Sequence, residues 1–217
     1  MPIFTRDDRR VLFVHVPKTG GTSIERHFTA ADWTMHHRST PKKQPALFPA
    51  YRCSPQHWHG ALLSELFRLD RFEARFLVVR DPIARFRSEY VMRNTADPRT
   101  DAASVEAWAE RALKRYAANP YVHDNHLRPQ SEFLVEDCEV YRLEDGLEAA
   151  VADLNTRFDL GLGPQVPRSF HSEKRAGVSS SDVEISPGLA ERLADFYRSD
   201  YDRFGYPLPG AAPEGTR

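Results

Sequence analysis

Three short runs along the chain predict β-strands, the first two of them buried, and each run leads into the pattern of a helix. The runs occupy residues 11–16, 76–80 and 138–144, and they are rich in β-branched and aromatic side chains. Repeated strand-then-helix units are typical of α/β proteins. The pattern therefore predicts an α/β fold with a mostly parallel central sheet that is flanked by helices.

Capping residues and helical periodicity locate the helices. Thr22 and Glu25 have the spacing of a capping box, which predicts a helix from this point to about residue 28. Asp81 is a good N-cap and Pro82 a good first helical residue, so a helix should follow the second strand directly. Apolar side chains recur every three or four residues in three further predicted helices, at about 105–116, 147–158 and 187–204.

Composition indicates an ordinary globular protein. The chain has 217 residues, with 30 Lys and Arg against 31 Asp and Glu, and 41% of the residues are hydrophobic. These values exclude a disordered or fibrous protein. A dedicated nucleic-acid-binding protein is normally basic, so no nucleic-acid partner is expected. At about 150 residues per domain, the length predicts one domain over residues 1–207 and a disordered tail over 208–217.

The cysteines and the apolar runs bear on the cellular compartment. The two cysteines, Cys53 and Cys138, form no CxxC pair, which favours reduced thiols. The first residues contain no apolar signal segment, and no apolar run is long enough to span a bilayer. We therefore expect a cytoplasmic protein without a membrane span.

The segment HVPKTGGTS, residues 15–23, has the composition of a phosphate-binding loop. It lies between a predicted strand and the start of a predicted helix, where free backbone N–H groups and the helix dipole attract anions. Two glycines allow a close approach of the backbone, one lysine adds a charge and three hydroxyl groups add donors: Gly20, Gly21, Lys18, Thr19, Thr22 and Ser23. In a Walker A loop the lysine follows the second glycine, whereas Lys18 precedes both. A purely structural turn is the alternative.

A second motif, RDPIARFRSEY at residues 80–90, follows the second strand. Together the two motifs resemble those of sulfotransferases that use 3′-phosphoadenosine 5′-phosphosulfate (PAPS), in particular the heparan-sulfate 2-O and 6-O type and its bacterial relatives. The resemblance implies a P-loop-like sulfotransferase fold in which residues 18–23 bind the 5′-phosphosulfate. It also implies that Arg80 and Ser88 bind the other phosphate of PAPS. Lys174 and Arg175 resemble, more distantly, the late basic loop of soluble sulfotransferases.

The resemblance also implies a general base in the segment SPQHWHG, at residues 54–60. Transfer to a hydroxyl needs a base for the acceptor and a cation at the leaving phosphate. Lys18 fits the second role. His57 matches the register of the 6-O-type and bacterial relatives and His59 that of the 2-O type, so both are candidate catalytic residues and His57 is favoured. A metal site that combines His57 and His59 with His36 or His37 is an alternative, but H-x-H alone is a weak signal, and no metal is expected.

These observations predict an enzyme that transfers the sulfonate group of PAPS to a hydroxyl of an acceptor, most simply a saccharide. Because no apolar run is long enough for a membrane anchor, a cytoplasmic enzyme of the bacterial type is expected rather than one like the membrane-anchored relatives. Two other functions remain open. One is a kinase-like P-loop transferase, and the other is a binding protein that kept the nucleotide site without the chemistry. The acceptor and the oligomeric state are not determined by the sequence.

Overall fold

The computed structural model describes residues 2–38, 52–167 and 171–210, and these form two compact units. One unit contains the described residues of 1–80 and 119–169, and the other contains those of 81–118 and 170–217. The single domain expected over residues 1–207 stays a prediction. The expected disorder at 208–217 concerns mainly residues 211–217, which lie outside the described residues.

A five-stranded mixed sheet lies in the first unit, with the strand order β3-β1-β2-β4-β5. The strands are β1 (Ile3–Arg6), β2 (Arg9–Val14), β3 (Thr34–His36), β4 (Ala74–Val79) and β5 (Glu139–Arg142). Strand β2 pairs in parallel with β4, and β4 in parallel with β5. Strand β1 pairs antiparallel with β2 and with β3.

The prediction of a mostly parallel sheet is therefore correct for the three predicted strands and wrong for the whole sheet, in which two of the four strand pairings are antiparallel. Strands β1 and β2 are joined by only two residues, Asp7 and Asp8, and Asp7 has a positive φ of 54°. Such a short connection can join only antiparallel strands. The predicted strand at 11–16 begins earlier and ends at Val14, because this hairpin extends the pairing back to Arg9.

The described part of the chain contains eight α-helices, three in the first unit and five in the second. Helices α1 (Gly21–Ala30), α2 (Gly60–Leu66) and α5 (Leu147–Phe158) belong to the first unit. Helices α3 (Pro82–Arg93), α4 (Ala102–Ala118), α6 (His171–Ala176), α7 (Pro187–Phe196) and α8 (Arg198–Phe204) belong to the second. Two 3₁₀ turns in the first unit, Pro55–His57 and Gln130–Phe133, carry residues of the site described below.

Stacked aromatic rings hold α1 against the sheet. Phe13 of β2 stacks on Phe76 of β4 with ring centroids 4.9 Å apart, and Phe28 of α1 stacks on Phe76 at 5.8 Å and on Phe4 of β1 at 4.2 Å. All four rings are fully buried. Because β2 and β4 are parallel neighbours, with Val14 opposite Leu77, the segments that follow them leave the same edge of the sheet.

The second unit contains the helix that follows β4, and the predicted N-cap Asp81 is confirmed there. The Asp81 carboxylate accepts a hydrogen bond of 2.8 Å from the Ala84 backbone N–H, and Pro82 is the first residue of α3. Ser186 caps α7 in the same way, through the Leu189 N–H at 3.2 Å. Local sequence signals thus determine where these two helices begin.

Candidate active site

The predicted phosphate loop connects β2 to α1. Lys18 and Gly20 both adopt left-handed backbone conformations, with φ of 71° and 87°. Gly20 is the N-cap residue of α1. Because glycine has no side chain, no side-chain hydrogen bond caps the backbone N–H groups of the first turn. Lys18, Gly20 and Thr22 are partly accessible, while Thr19, Gly21 and Ser23 are buried. The loop thus presents a cation, a glycine and a hydroxyl at a helix N-terminus, which suits an anion.

Buried polar contacts within the loop maintain its shape. The Thr19 hydroxyl donates to the Val16 carbonyl at 2.9 Å, and the Ser23 N–H donates to the Gly20 carbonyl at 2.9 Å. The Thr19 hydroxyl was predicted to be a phosphate donor, whereas here it closes the turn. Its backbone and that of the two glycines remain the candidate ligand-binding groups.

Glu25 does not form the capping box that the sequence predicts. It is buried one turn into α1, where its carboxylate contacts His15 Nδ1 at 2.9 Å and Arg38 Nε at 3.4 Å. Burial alone would raise the pKa of Glu25, but the hydrogen bond and the charge of His15, with that of Arg38, hold it below its ordinary value. The carboxylate therefore fixes the His15 ring beneath the loop instead of capping the helix.

Arg80 lies at the end of β4 and reaches the phosphate loop. Its guanidinium Nη1 is 3.5 Å from the Lys18 carbonyl oxygen. The buried Gln130 side chain holds the Arg80 backbone from both sides, accepting from its N–H at 2.9 Å and donating to its carbonyl at 2.7 Å. Gln130 thus continues the pairing of the sheet by one residue. The structure brings two predicted residues, Lys18 and Arg80, together and adds Gln130 as the support of Arg80.

His57 is buried in the 3₁₀ turn before α2, beside the phosphate loop. Its ring meets the His15 ring edge to face, with centroids 5.1 Å apart. The His15 ring in turn lies directly against Gly21, since a Cβ atom built on Gly21 would be 1.9 Å from His15 Nε2. Through these two contacts the candidate base lies one imidazole ring away from the first residue of α1.

Asp124 is the partner of His57, and it lies outside the sequence motifs described above. Its carboxylate is 2.8 Å from His57 Nδ1 and accepts from the Ser54 hydroxyl at 2.6 Å. Burial lowers the pKa of His57 to about 3, although the hydrogen bond to Asp124 raises it, so the ring is neutral at neutral pH. Burial alone would raise the pKa of Asp124, but the hydrogen bonds from His57 and Ser54 hold it well below its usual range. A dense run of polar residues, HDNH at 123–126, was the available sequence signal.

His59 occupies a different environment. It is the N-cap residue of α2, is partly accessible, and meets the Tyr121 ring edge to face at 5.8 Å. Its Nδ1 is buried and has no hydrogen-bond partner among the described residues. Burial and the nearby charge of Arg128 lower the pKa of His59 to about 4. Of the two candidate bases, only His57 has a carboxylate partner in the described chain.

His57, Asp124 and His126 also contain the donor atoms of a metal site. Each offers one ligand atom, and these atoms lie within 4.8 Å of one another. The rings of His57 and His126 meet edge to face at 4.7 Å. The Asp124 carboxylate already accepts hydrogen bonds from His57 and Ser54, and a metal ion at this site would compete with them. The set of His57, His59 and His36 or His37 considered from the sequence is not assembled among the described residues.

The remaining predicted site residues belong to the second unit. Ser88 lies in α3 and is partly accessible, and Lys174 and Arg175 are exposed in the short helix α6. Their assignment to the site stays a prediction.

Comparison with known proteins gives the family. No helix among the described residues is long and apolar enough to cross a membrane. No curated protein and no solved structure matches the chain. The family model described as the sulfotransferase family matches residues 1–207, nearly the whole chain. With the two motifs and the loop geometry above, the chain belongs to the sulfotransferase family, a family of enzymes that transfer sulfate.

Proposed function

We propose that the protein transfers the sulfonate group of PAPS to a hydroxyl group of a saccharide acceptor, with His57 as the general base and Lys18 at the leaving phosphate. The observation that carries the proposal is the contact chain from His57 through His15 to Gly21. It puts a buried neutral imidazole beside a loop suited to an anion. Sulfonate transfer requires these two elements to be adjacent.

The donor site follows from the loop and from Arg80. The helix N-terminus and Lys18 would bind the 5′-phosphosulfate, where a β-strand, a glycine-containing loop and a helix form a P-loop-like arrangement. Arg80, held at the strand end by Gln130, would bind the 3′-phosphate. Ser88 is a further candidate for donor binding, and Lys174 and Arg175, whose resemblance to the family is weaker, are two more. A donor with two separate anionic groups suits these cations.

The chemical step would be an in-line displacement at sulfur. The acceptor oxygen forms a bond to sulfur, the bond between sulfur and the 5′-phosphate oxygen breaks, and the acceptor proton passes to His57. Lys18 stabilises the charge that develops on the departing phosphate, and 3′-phosphoadenosine 5′-phosphate (PAP) leaves. Both the neutral state of His57 and the cation of Lys18 therefore have a role in the step.

Nucleotide binding tests the donor half of the proposal. Calorimetry with PAP, and with ATP and AMP for comparison, would be carried out on the wild type, on Arg80→Ala and on Arg71→Ala. Loss of a charged phosphate contact of about 1.5–3 kcal/mol predicts about 10–100-fold weaker PAP binding for Arg80→Ala. Arg71 is an exposed arginine in the same unit, so its replacement should leave PAP affinity unchanged. Preference for ATP with Mg²⁺ would instead support the kinase-like alternative.

Transfer of radiolabelled sulfonate from PAPS to a panel of saccharides tests the chemical half. Removal of a general base typically slows turnover about 10²–10⁴-fold, so His57→Ala should lose turnover and keep its affinity for PAP. Lys18→Ala should lose turnover by a comparable factor. His59→Ala is the matched control and should retain turnover. The reverse result for the two histidines would make His59 the base, and PAP binding without transfer to any acceptor would favour the non-catalytic alternative.

A further inference from the structure

We infer that Asp124 is a positioning residue that holds His57 as the Nδ1–H tautomer, so that Nε2 is the atom that receives the acceptor proton. The role of Nε2 in transfer rests on the proposed function. The tautomer itself is a property of the folded chain, whatever reaction it supports.

The hydrogen-bond inventory around Asp124 determines where the His57 proton lies. The Ser54 backbone N–H and hydroxyl both donate to the Asp124 carboxylate, at 2.5 and 2.6 Å. Because the Ser54 hydroxyl has used its only hydrogen, its oxygen, 3.3 Å from His57 Nδ1, can act there only as an acceptor. The Asp124 carboxylate, at 2.8 Å from the same nitrogen, is also an acceptor. Both neighbours of Nδ1 therefore require it to carry the hydrogen, and a neutral ring then has an unprotonated Nε2.

The backbone around Asp124 is held in an unusual conformation. His123, Asp124 and Asn125 have φ angles of 55°, 62° and 66°, which is a run of three consecutive left-handed residues. This conformation costs about 1–2 kcal/mol for most residues and less for Asp and Asn. The cost must be offset by contacts, and functional sites are where such strain is concentrated.

The contacts that offset this strain converge on His57. The Asn125 side-chain amide donates to the His57 carbonyl at 2.9 Å, and Arg128 Nε donates to the Asn125 side-chain oxygen at 3.0 Å. Asp124 thus fixes the His57 ring while its neighbour Asn125 fixes the His57 backbone. The left-handed run allows two adjacent residues to hold the same histidine.

The variant Asp124→Asn distinguishes positioning from simple structural support. One carboxylate oxygen accepts from the Ser54 backbone N–H, which cannot reverse its polarity. An asparagine must therefore place its carbonyl there and turn its NH₂ group towards the Ser54 hydroxyl and His57 Nδ1. This NH₂ group donates to Nδ1 and should drive the ring to the Nε2–H tautomer. Asp137→Asn is the matched control, since Asp137 is also left-handed, with φ of 50°, but is exposed and paired with Arg75.

The first experiment is nitrogen-detected NMR of histidine side chains in the ¹⁵N-labelled full chain, with His57→Gln to assign the resonance. We expect the wild type and Asp137→Asn to show a protonated Nδ1 and an unprotonated Nε2 at His57. Asp124→Asn should show the opposite tautomer. A wild-type His57 protonated at Nε2 would overturn the inference without need of any variant, even if Asp124→Asn failed to fold.

The second experiment separates this inference from the proposed function. Asp124→Asn should lower kcat for sulfonate transfer about 10²–10⁴-fold and keep PAP affinity within twofold, because only the base is affected. An unchanged kcat in a variant whose tautomer has switched would refute the positioning role. Absence of transfer by the wild type, with the expected tautomers, would instead refute the proposed function alone. Displacement of the Nδ1 proton by equimolar Zn²⁺ would overturn the inference in favour of a metal site at His57, Asp124 and His126.

Discussion

Replacement of Gly21 by alanine tests the contact between the phosphate loop and His15. Gly21 is the first residue of α1 and has no left-handed strain, so helix propensity alone would make alanine stabilising by up to about 1 kcal/mol. The structure predicts the opposite effect. The new Cβ would lie 1.9 Å from His15 Nε2. The His15 ring must therefore move about 1.5 Å away to restore an ordinary van der Waals contact.

The magnitude follows from what His15 would lose. The ring is buried, stacks on Phe13 at 5.3 Å and contacts Glu25 at 2.9 Å. A displacement of this size breaks the hydrogen bond to a buried carboxylate, which costs about 1.5–3 kcal/mol. We expect a net loss of about 2 kcal/mol and a fall in the thermal midpoint of about 4–8 °C for a chain of this size.

Thermal and urea unfolding of four proteins would measure this effect: the wild type, Gly21→Ala, His15→Ala and the double variant. If the ring is the obstacle, alanine at position 21 should cost less than about 0.5 kcal/mol once His15 is also alanine. Gly188→Ala is the control, because a Cβ atom there meets nothing within 4 Å, and it should be neutral or slightly stabilising. An equal cost of Gly21→Ala with and without His15, or no cost at all, would refute the reasoning.

Three further predictions concern stability and reactivity. Because burial lowers the pKa of His57 to about 3, the unfolded chain binds a proton below about pH 6.5 that the folded chain does not. As the pH falls from about 6.5 to 3, the contribution of His57 should therefore lower the free energy of unfolding by up to about 1.4 kcal/mol per pH unit. A free energy of unfolding by urea that stays constant between pH 7 and 5 would contradict this. Gln130→Leu should cost about 2–4 kcal/mol in urea unfolding, because it leaves the Arg80 N–H and carbonyl without the partners seen here, whereas Gln165→Leu, at an exposed site, should cost almost nothing. Burial raises the pKa of each of the two cysteine thiols to about 12, so Ellman's reagent should label the native protein far more slowly than the urea-unfolded one, and equal rates would show that the thiols are accessible.

The parallel strands and several helix starts were predictable because their signals are local. Strands β2 and β4 contain apolar β-branched or aromatic runs, and β5 shows Val140 and Tyr141 between charged residues. The caps Asp81 and Ser186 are recognisable from a few residues of sequence. The hairpin of β1 and β2 was missed because its turn, Asp7-Asp8, adjoins charged residues and lacks the glycine that usually marks a two-residue turn. Strand β3 has only three residues, too few to show a period.

The phosphate loop and Arg80 were also predictable from the sequence, since glycine, lysine and hydroxyl residues in order after a strand are a local pattern. The partners of these residues were not. Glu25 has the spacing of a capping residue, and only the fold places it against His15. Gln130 supports Arg80 across 50 residues of sequence, and Asp124 meets His57 across 67.

The sequence by itself therefore determined the strand–loop–helix units, the anion-binding character of residues 15–23 and the presence of two candidate bases. Tertiary structure alone decided which histidine has a carboxylate partner. Periodicity and capping report interactions between residues a few positions apart. The environment of His57, by contrast, depends on a left-handed turn at 123–125 that the packed fold holds in place, and a hydrogen bond between distant residues leaves no spacing rule in the sequence.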